Sequence, residues 1–143
     1  MPSNAAERAK EMMNQRTGHC AQAILTTFGE QTGSEKVDYN TLMKVASAFS
    51  GGIARMGNVC GALTGALMAL GLKYGGQDST KVNEVAMKFL EEFESLNGSI
   101  ICRELINHDL VTDADVEKAF MTGAFDNCPK YVEDAAVLLE KLL

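Results

Sequence analysis

The sequence predicts an all-α protein: a single-domain bundle of about six to seven helices over residues 1–143, around a buried Gly/Ala-rich central helix. Three observations predict it. Apolar residues recur at i, i+3, i+4 and i+7 in several segments, and no run alternates as a half-buried strand would. Pro2 and Pro129 are the only prolines, so almost nothing except glycine interrupts helix formation. Hydrophobic residues make up 46% of the chain, enough for one core and too many for a disordered segment.

The elements follow in order. Asn4 and Glu7 have capping-box spacing and open a first helix that ends before Gly18, with Ala9, Met12 and Met13 inward. A second runs from about Cys20 to Gln31, closed by Gly33. A third starts near Asp38 and carries Tyr39, Leu42, Ala46 and Phe49 at helical spacing until Gly51-Gly52 break it. The fourth, residues 59–74, holds the longest apolar stretch and is rich in small residues: Gly61, Ala62, Gly65, Ala66 and Ala69. Each glycine there costs roughly 1 kcal/mol of helix propensity against alanine, which predicts a need for close packing. The fourteen apolar residues 59–72 fall short of a membrane span, which needs about 20.

The fifth helix has cap candidates at Asp78, Ser79 and Thr80, then Val82, Val85, Ala86, Phe89, Leu90 and Phe93 on one face, and ends at Gly98. A short helix over 102–107 and a weak one over 116–121 follow. The last runs from Cys128 to the C-terminus with Val132, Ala135, Ala136, Leu139 and Leu142 inward. Met12, Met13, Met43, Met68 and Met87 read as core filler.

Thirteen basic and nineteen acidic side chains leave a formal charge of -6, which argues against nucleic acid or an anionic membrane as main partner. The opening MPSNAAERAKEMMNQ lacks the features of a secretory signal, so the expected location is cytoplasmic, where thiols stay reduced.

The chemistry rests on Cys20, Cys60, Cys102 and Cys128, separated by 39, 41 and 25 residues. No CxxC pair occurs, so zinc-finger, thioredoxin, c-type haem and ferredoxin patterns are unsupported. Placement says more than spacing. Cys20 follows Thr17-Gly18, Cys60 follows the cap candidate Asn58, and Cys102 lies three residues after Ser99. Cys128 precedes Pro129 and reads as an N-cap itself. All four are thus expected at helix N-termini, where free N–H groups and the helix dipole favour an anion and lower a thiol's pKa. Each also begins an apolar stripe, so the thiols are expected to converge on the core. The plainer alternative is that each is a small buried hydrophobe.

Four residues could support such a site. His19 could donate to a sulfur, replace a ligand or act as a base, although a solvent-facing position is the simpler reading because neighbours i and i+1 do not share a helix face. His108, near a helix end, reads as structural. Arg55 could stabilise a thiolate or bind an anionic substrate, or be an ordinary surface arginine. Gly57 and Gly61 stand beside Cys60, and Gly51, Gly52 and Gly57 could admit a close backbone approach or simply break helices.

These residues together resemble the redox-active proteins named for their C_GCAxxG_C_C cysteine pattern. The central match is FSGGIARMGNVCGALTGALMALGLKYG, residues 49–75, with Gly57, Cys60, Gly61, Ala62 and Gly65 at the motif's core. Cys20 in GHCAQAIL resembles the leading cysteine, and Cys102 in ICREL and Cys128 in NCPKYVEDAA the trailing ones. The order Val59-Cys60-Gly61-Ala62 departs from the Gly-Cys-Ala of the family's name. A similar domain occurs in split-Soret cytochromes, so the resemblance implies an iron–sulfur cluster held by the four cysteines. No CxxCH haem site is present.

Three functions are expected, in this order. The first is an iron–sulfur electron-transfer protein. The second is a metal-free thiol-disulfide oxidoreductase, with Cys60 as nucleophile and Cys20 as a second catalytic thiol. The third is an interaction protein with a structural zinc site. Partners would be a redox protein or a small-molecule oxidant. The residues do not decide between enzyme and carrier, nor the oligomeric state.

Overall fold

Helices form where the apolar periodicity places them. A computed structural model describes residues 4–29 and 37–143. Among these residues stand eight α-helices: α1 (Asn4–Asn14), α2 (Cys20–Gly29), α3 (Tyr39–Ala46), α4 (Gly61–Tyr74), α5 (Thr80–Asn97), α6 (Cys102–Leu105), α7 (Asp113–Thr122) and α8 (Cys128–Leu142). A 3-10 turn, Ser47–Phe49, follows α3. Each helix corresponds to a segment placed from the sequence, and they come to eight rather than six to seven when the short helix over 102–107, a single turn of 4 residues in α6, and the weak one that becomes α7 are both counted. The expected end of the second helix, at Gln31 and Gly33, lies outside the described residues. No helix among the described residues is long and apolar enough to cross a membrane.

Local chemistry sets the boundaries. The Asp38 carboxylate accepts from the Thr41 N–H at 2.7 Å and caps α3. Gly98 closes α5 in the left-handed region, at φ 85°. A capping box between Thr112 and Asp115 opens α7. That box moves the helix start three residues ahead of the expected Val116.

α4 is the central helix. It packs along α2 and is flanked by α5 and α8, while α1 lies across α8 and α2. Its Gly61, Ala62, Leu63, Gly65, Ala66, Ala69 and Leu70 are all buried. Ile24, Leu63, Leu70, Phe89, Phe93 and Leu139 fill the core around it. Burying each such side chain contributes about 1.5–3 kcal/mol. A smaller apolar cluster, built on Cys102, Leu110 and Ala119, joins α6 to α7. Two side chains expected inward are exposed: Tyr39 at 43% and Met87 at 62%. Both sit at the edge of their helix's apolar arc, where the core does not reach.

The glycines of α4 mark real contact. A methyl group at Gly65 would lie 2.6 Å from the Ala21 carbonyl oxygen, whereas one at Gly71 would meet nothing within 4 Å. Gly65→Ala should therefore destabilise the protein by about 1–3 kcal/mol through overpacking. Gly71→Ala should be neutral or stabilising by up to about 1 kcal/mol. Urea denaturation of the two variants checks this; equal stabilities would remove the close α2–α4 contact.

Candidate functional site

Each cysteine begins a helix. Cys20, Cys102 and Cys128 are the first residues of α2, α6 and α8, and Cys60 is the N-cap of α4. Two of these placements differ by a residue or two from expectation. The N-cap of α8 is Asn127 rather than Cys128, because a proline's missing N–H is harmless throughout a first turn. Asn58 does not cap α4: Cys60 takes that position two residues later, and the Asn58 backbone carbonyl is engaged elsewhere. It accepts from the Cys102 N–H at 2.6 Å, while the Cys60 N–H donates to the Ile100 carbonyl at 2.9 Å. This pair of bonds brackets a single antiparallel bridge between Val59 and Ile101 and ties the two cysteine segments together. Ser99 shapes the turn before α6 from outside the cap position: its hydroxyl accepts from the Ile101 N–H at 3.0 Å and donates to Glu104 at 2.9 Å.

All four thiols line one chamber of about 240 Å³, and all four are free. Cys60 and Cys102 are 7% and 5% exposed. Every one of the six sulfur pairs interacts electrostatically. Among the described residues, however, no three His, Cys, Asp or Glu side chains gather closely enough to hold a single metal ion. The sulfurs stand around the walls of a shared space and do not meet at a point.

Residues 51–55 form an unusual wall. Gly51, Gly52, Ile53, Ala54 and Arg55 have φ of 58°, 75°, 62°, 50° and 60°, five successive left-handed residues. For a residue with a Cβ this region costs about 1–2 kcal/mol. Gly52 is needed twice over, since a side chain there would also press to 2.7 Å from Cys102 Cβ. Bonds from Ala54 N–H to the Ala48 carbonyl (2.7 Å) and from Asn58 N–H to the Gly52 carbonyl (2.9 Å) hold the loop. The glycines are thus part of the site, and breaking α3 is the lesser part of their role.

The loop turns the Gly51 N–H toward the Cys20 sulfur, which also receives the N–H groups of Ala21 and Gly61; Ala62 serves Cys60. Gly61 is the close approach: a methyl group there would collide with the Cys20 sulfur. Despite these donors, the thiol pKa values move opposite to expectation. Burial pushes Cys102 and Cys128 up to about 12, with nearby sulfurs adding to it. Burial likewise raises Cys20, and Cys60 well above its ordinary value. Helix-start N–H groups favour the anion, but desolvation outweighs them. With no cation at the sulfurs, all four are neutral thiols at pH 7.

His19 corrects the solvent-facing reading: it is half-buried and lines the chamber beside Cys20. Its Nε2 lies 3.1 Å from the Ser47 carbonyl oxygen, and its Nδ1 is buried without a hydrogen-bond partner. Burial lowers its pKa, so the ring is neutral at pH 7. Arg55 is exposed at the chamber's edge, its guanidinium 5.4 Å from the centre of the Phe120 ring. Gly57 is buried one step away, its carbonyl accepting from Arg103 Nη1 at 3.1 Å. His108 does not line the chamber, and its Nδ1 is 2.8 Å from the Asp109 carbonyl.

Three aromatic wall residues were not anticipated. The Tyr131 hydroxyl donates to the Leu105 carbonyl at 2.9 Å and closes one side. Its i, i+3 spacing from Cys128 was the available signal. Phe120 and Phe125, with ring centroids 4.9 Å apart, close another. They fall on a weak helix and a turn, where periodicity carries no signal.

The fold and site together define a cysteine-centred helical domain: four free thiols from four helix starts meet at one chamber. More particularly, the chain belongs to the family described as "Putative redox-active protein (C_GCAxxG_C_C)", whose model matches residues 18–142. Neither a curated protein nor a solved structure matches the chain.

The raised thiol pKa values have a signed consequence. In the unfolded chain cysteine ionises near 9.0, and in the fold Cys102 and Cys128 ionise at about 12. The stability each contributes is fully present below pH 9 and is lost as pH rises from there toward 12. Chelator-treated protein should therefore lose stability steadily above pH 9 in urea titrations. The Cys102→Ser, Cys128→Ser double variant should show a shallower fall; parallel curves would contradict the burial effect.

Proposed function

We propose that Cys20, Cys60, Cys102 and Cys128 hold an iron–sulfur cluster and that the protein is an electron-transfer module. One observation carries this: four free thiols stand on the walls of one chamber roomier than a single ion needs. A tetrahedral zinc site requires four donors within about 2.3 Å of one point, which the spread of the sulfurs does not favour. The chamber's volume of about 240 Å³ far exceeds the roughly 10–15 Å³ that one water needs. A multi-atom inorganic core with thiolate ligands suits that spread, and soft sulfur donors suit iron–sulfur chemistry.

When bound, the cluster would supply the one-electron chemistry that the side chains lack. The protein's own groups have separate tasks. The cysteines would give up their protons to ligate. The N–H groups of Ala21, Gly51 and Gly61 at Cys20, and of Ala62 at Cys60, would stabilise negative charge on the sulfurs and raise the potential. Tyr131 and Phe125 would keep water out. The raised pKa of Cys60 argues against its use as a free nucleophile, which needs thiolate character. Free thiols suit a reducing compartment such as the cytoplasm.

Anaerobic purification, followed where needed by reconstitution with iron and sulfide, should give a brown protein containing both elements. Each single Cys→Ser variant should lose much of its iron. A colourless product with four titratable thiols after reconstitution would end this reading, and zinc without sulfide would replace it.

A further inference from the structure

Cys60 and Cys102 are 7% and 5% exposed, so a reagent several atoms across needs part of the chamber wall to move before it reaches either sulfur. The wall is not held evenly. α2, α4 and α8 run from the chamber into the main core, with eight, seven and five buried residues. α7 has one, Ala119. Its Phe120 nevertheless closes one side of the chamber.

Little else ties α7 down. None of the other helices packs along it. Among the described residues, every hydrogen bond of residues 109–122 runs to a partner within 108–124, and no ion pair joins them to the rest of the chain. Two open grooves undercut the helix. One of about 740 Å³ lies beside Ala119 and Gly123, and one of about 470 Å³ lies along Asp113, Val116 and Glu117. Val111 and Met121, both 81% exposed, add little to its burial. What holds α7 is a small cluster separate from the main core, in which Leu110 and Ala119 pack with Cys102. The Phe120 ring adds a latch, 4.9 Å from the Phe125 ring and 5.4 Å from the Arg55 guanidinium. An element with so few buried contacts opens at less than the cost of global unfolding.

Both ends of the segment are suited to turning. Asn107 and Gly123 stand in the left-handed region, at φ 53° and 74°. Asparagine and glycine are the residues that pass between left-handed and right-handed backbone at least cost, and hinges are a few such positions at element ends.

We propose that residues 108–122 form a lid on the cysteine chamber, hinged at Asn107 and Gly123, that opens while the rest of the protein stays folded. Closed, Phe120 completes the wall and Leu110 and Ala119 cover Cys102. Open, Cys102 loses its apolar cover, while Cys60 keeps its own, because the neighbours of Cys60 belong to the main core. The lid does not depend on the iron–sulfur reading; its use as the entrance for iron and sulfide rests on it.

The test compares two thiols of equal burial. Reduced, chelator-treated protein is alkylated with N-ethylmaleimide without denaturant, and each cysteine is followed by mass spectrometry of its peptide. Labelling through global unfolding modifies Cys60 and Cys102 at one rate. The lid predicts Cys102 ahead of Cys60 by roughly tenfold or more, and α7 amides that exchange with deuterium roughly a hundredfold faster than those of α4. Leu110→Ala should speed Cys102 by roughly another tenfold and leave Cys60 unchanged. Equal wild-type rates, α7 amides as slow as those of α4, or a Cys102 rate that Leu110→Ala leaves unchanged each overturn the lid. The two wild-type measurements decide the matter if the variant does not fold. Iron and sulfide are assayed after reconstitution of the same preparation. Selective labelling of Cys102 with no iron taken up upholds the lid and ends the cluster reading, and iron uptake with equal labelling does the reverse.

Discussion

The arrangement depends on the contact between the beginnings of α2 and α4. Gly61 meets Cys20 and Ala21, and Gly65 meets Ala21 and Ile24, so the two helices leave this point side by side and in the same direction. Both positive helix ends therefore face the same place. Two like partial charges at contact distance are unfavourable unless something negative lies between them. The sulfurs of Cys20 and Cys60 occupy that position and accept from the N–H groups there, although burial keeps them neutral thiols. Small residues make the approach possible, and the approach defines where an anion belongs. The propensity that glycine gives up in α4 is the cost of this placement.

A tension follows between what the backbone offers and what burial allows. Five N–H contributions favour charge on Cys20 and Cys60, yet burial keeps every thiol neutral. Moving four thiolates into so enclosed a space would bring unscreened repulsion among them, since each sulfur pair interacts. Only a compensating positive centre changes the balance. The chamber is thus stable when its sulfurs carry protons, and under the proposed function it would become anionic only if a metal centre displaced those protons. Loading should release protons for that reason, and the backbone N–H groups already face the charge that would then appear.

Much of this was legible in the residues. The period of the apolar side chains placed most helices within a few residues, and the Gly/Ala content of α4 marked it as central. The placement of four cysteines at helix starts, each heading an apolar stripe, pointed to a shared site. Three things were not legible. The direction of the thiol pKa values was missed because helix position is a local property and burial is not. His19 was assigned outward by a rule for residues within a helix, but it precedes the first helical residue, where that rule has no force. The left-handed run through Ile53, Ala54 and Arg55 has no sequence mark beyond the two glycines before it, since residues with a Cβ enter that region only when tertiary contacts hold them there.

That loop also bears on the stability of the fold. Three non-glycine residues in left-handed backbone cost roughly 3–6 kcal/mol together, a large share of the about 5–15 kcal/mol by which domains are stable. Glycine at those positions would relieve the strain but would lose more backbone entropy on folding. Tertiary contacts offset the strain: the Ala54 and Asn58 N–H groups donate to the Ala48 and Gly52 carbonyls, and the Arg55 guanidinium rests over Phe120, which like Arg55 lines the chamber. The loop is therefore held in place by the wall that it helps to build, so loosening one loosens the other.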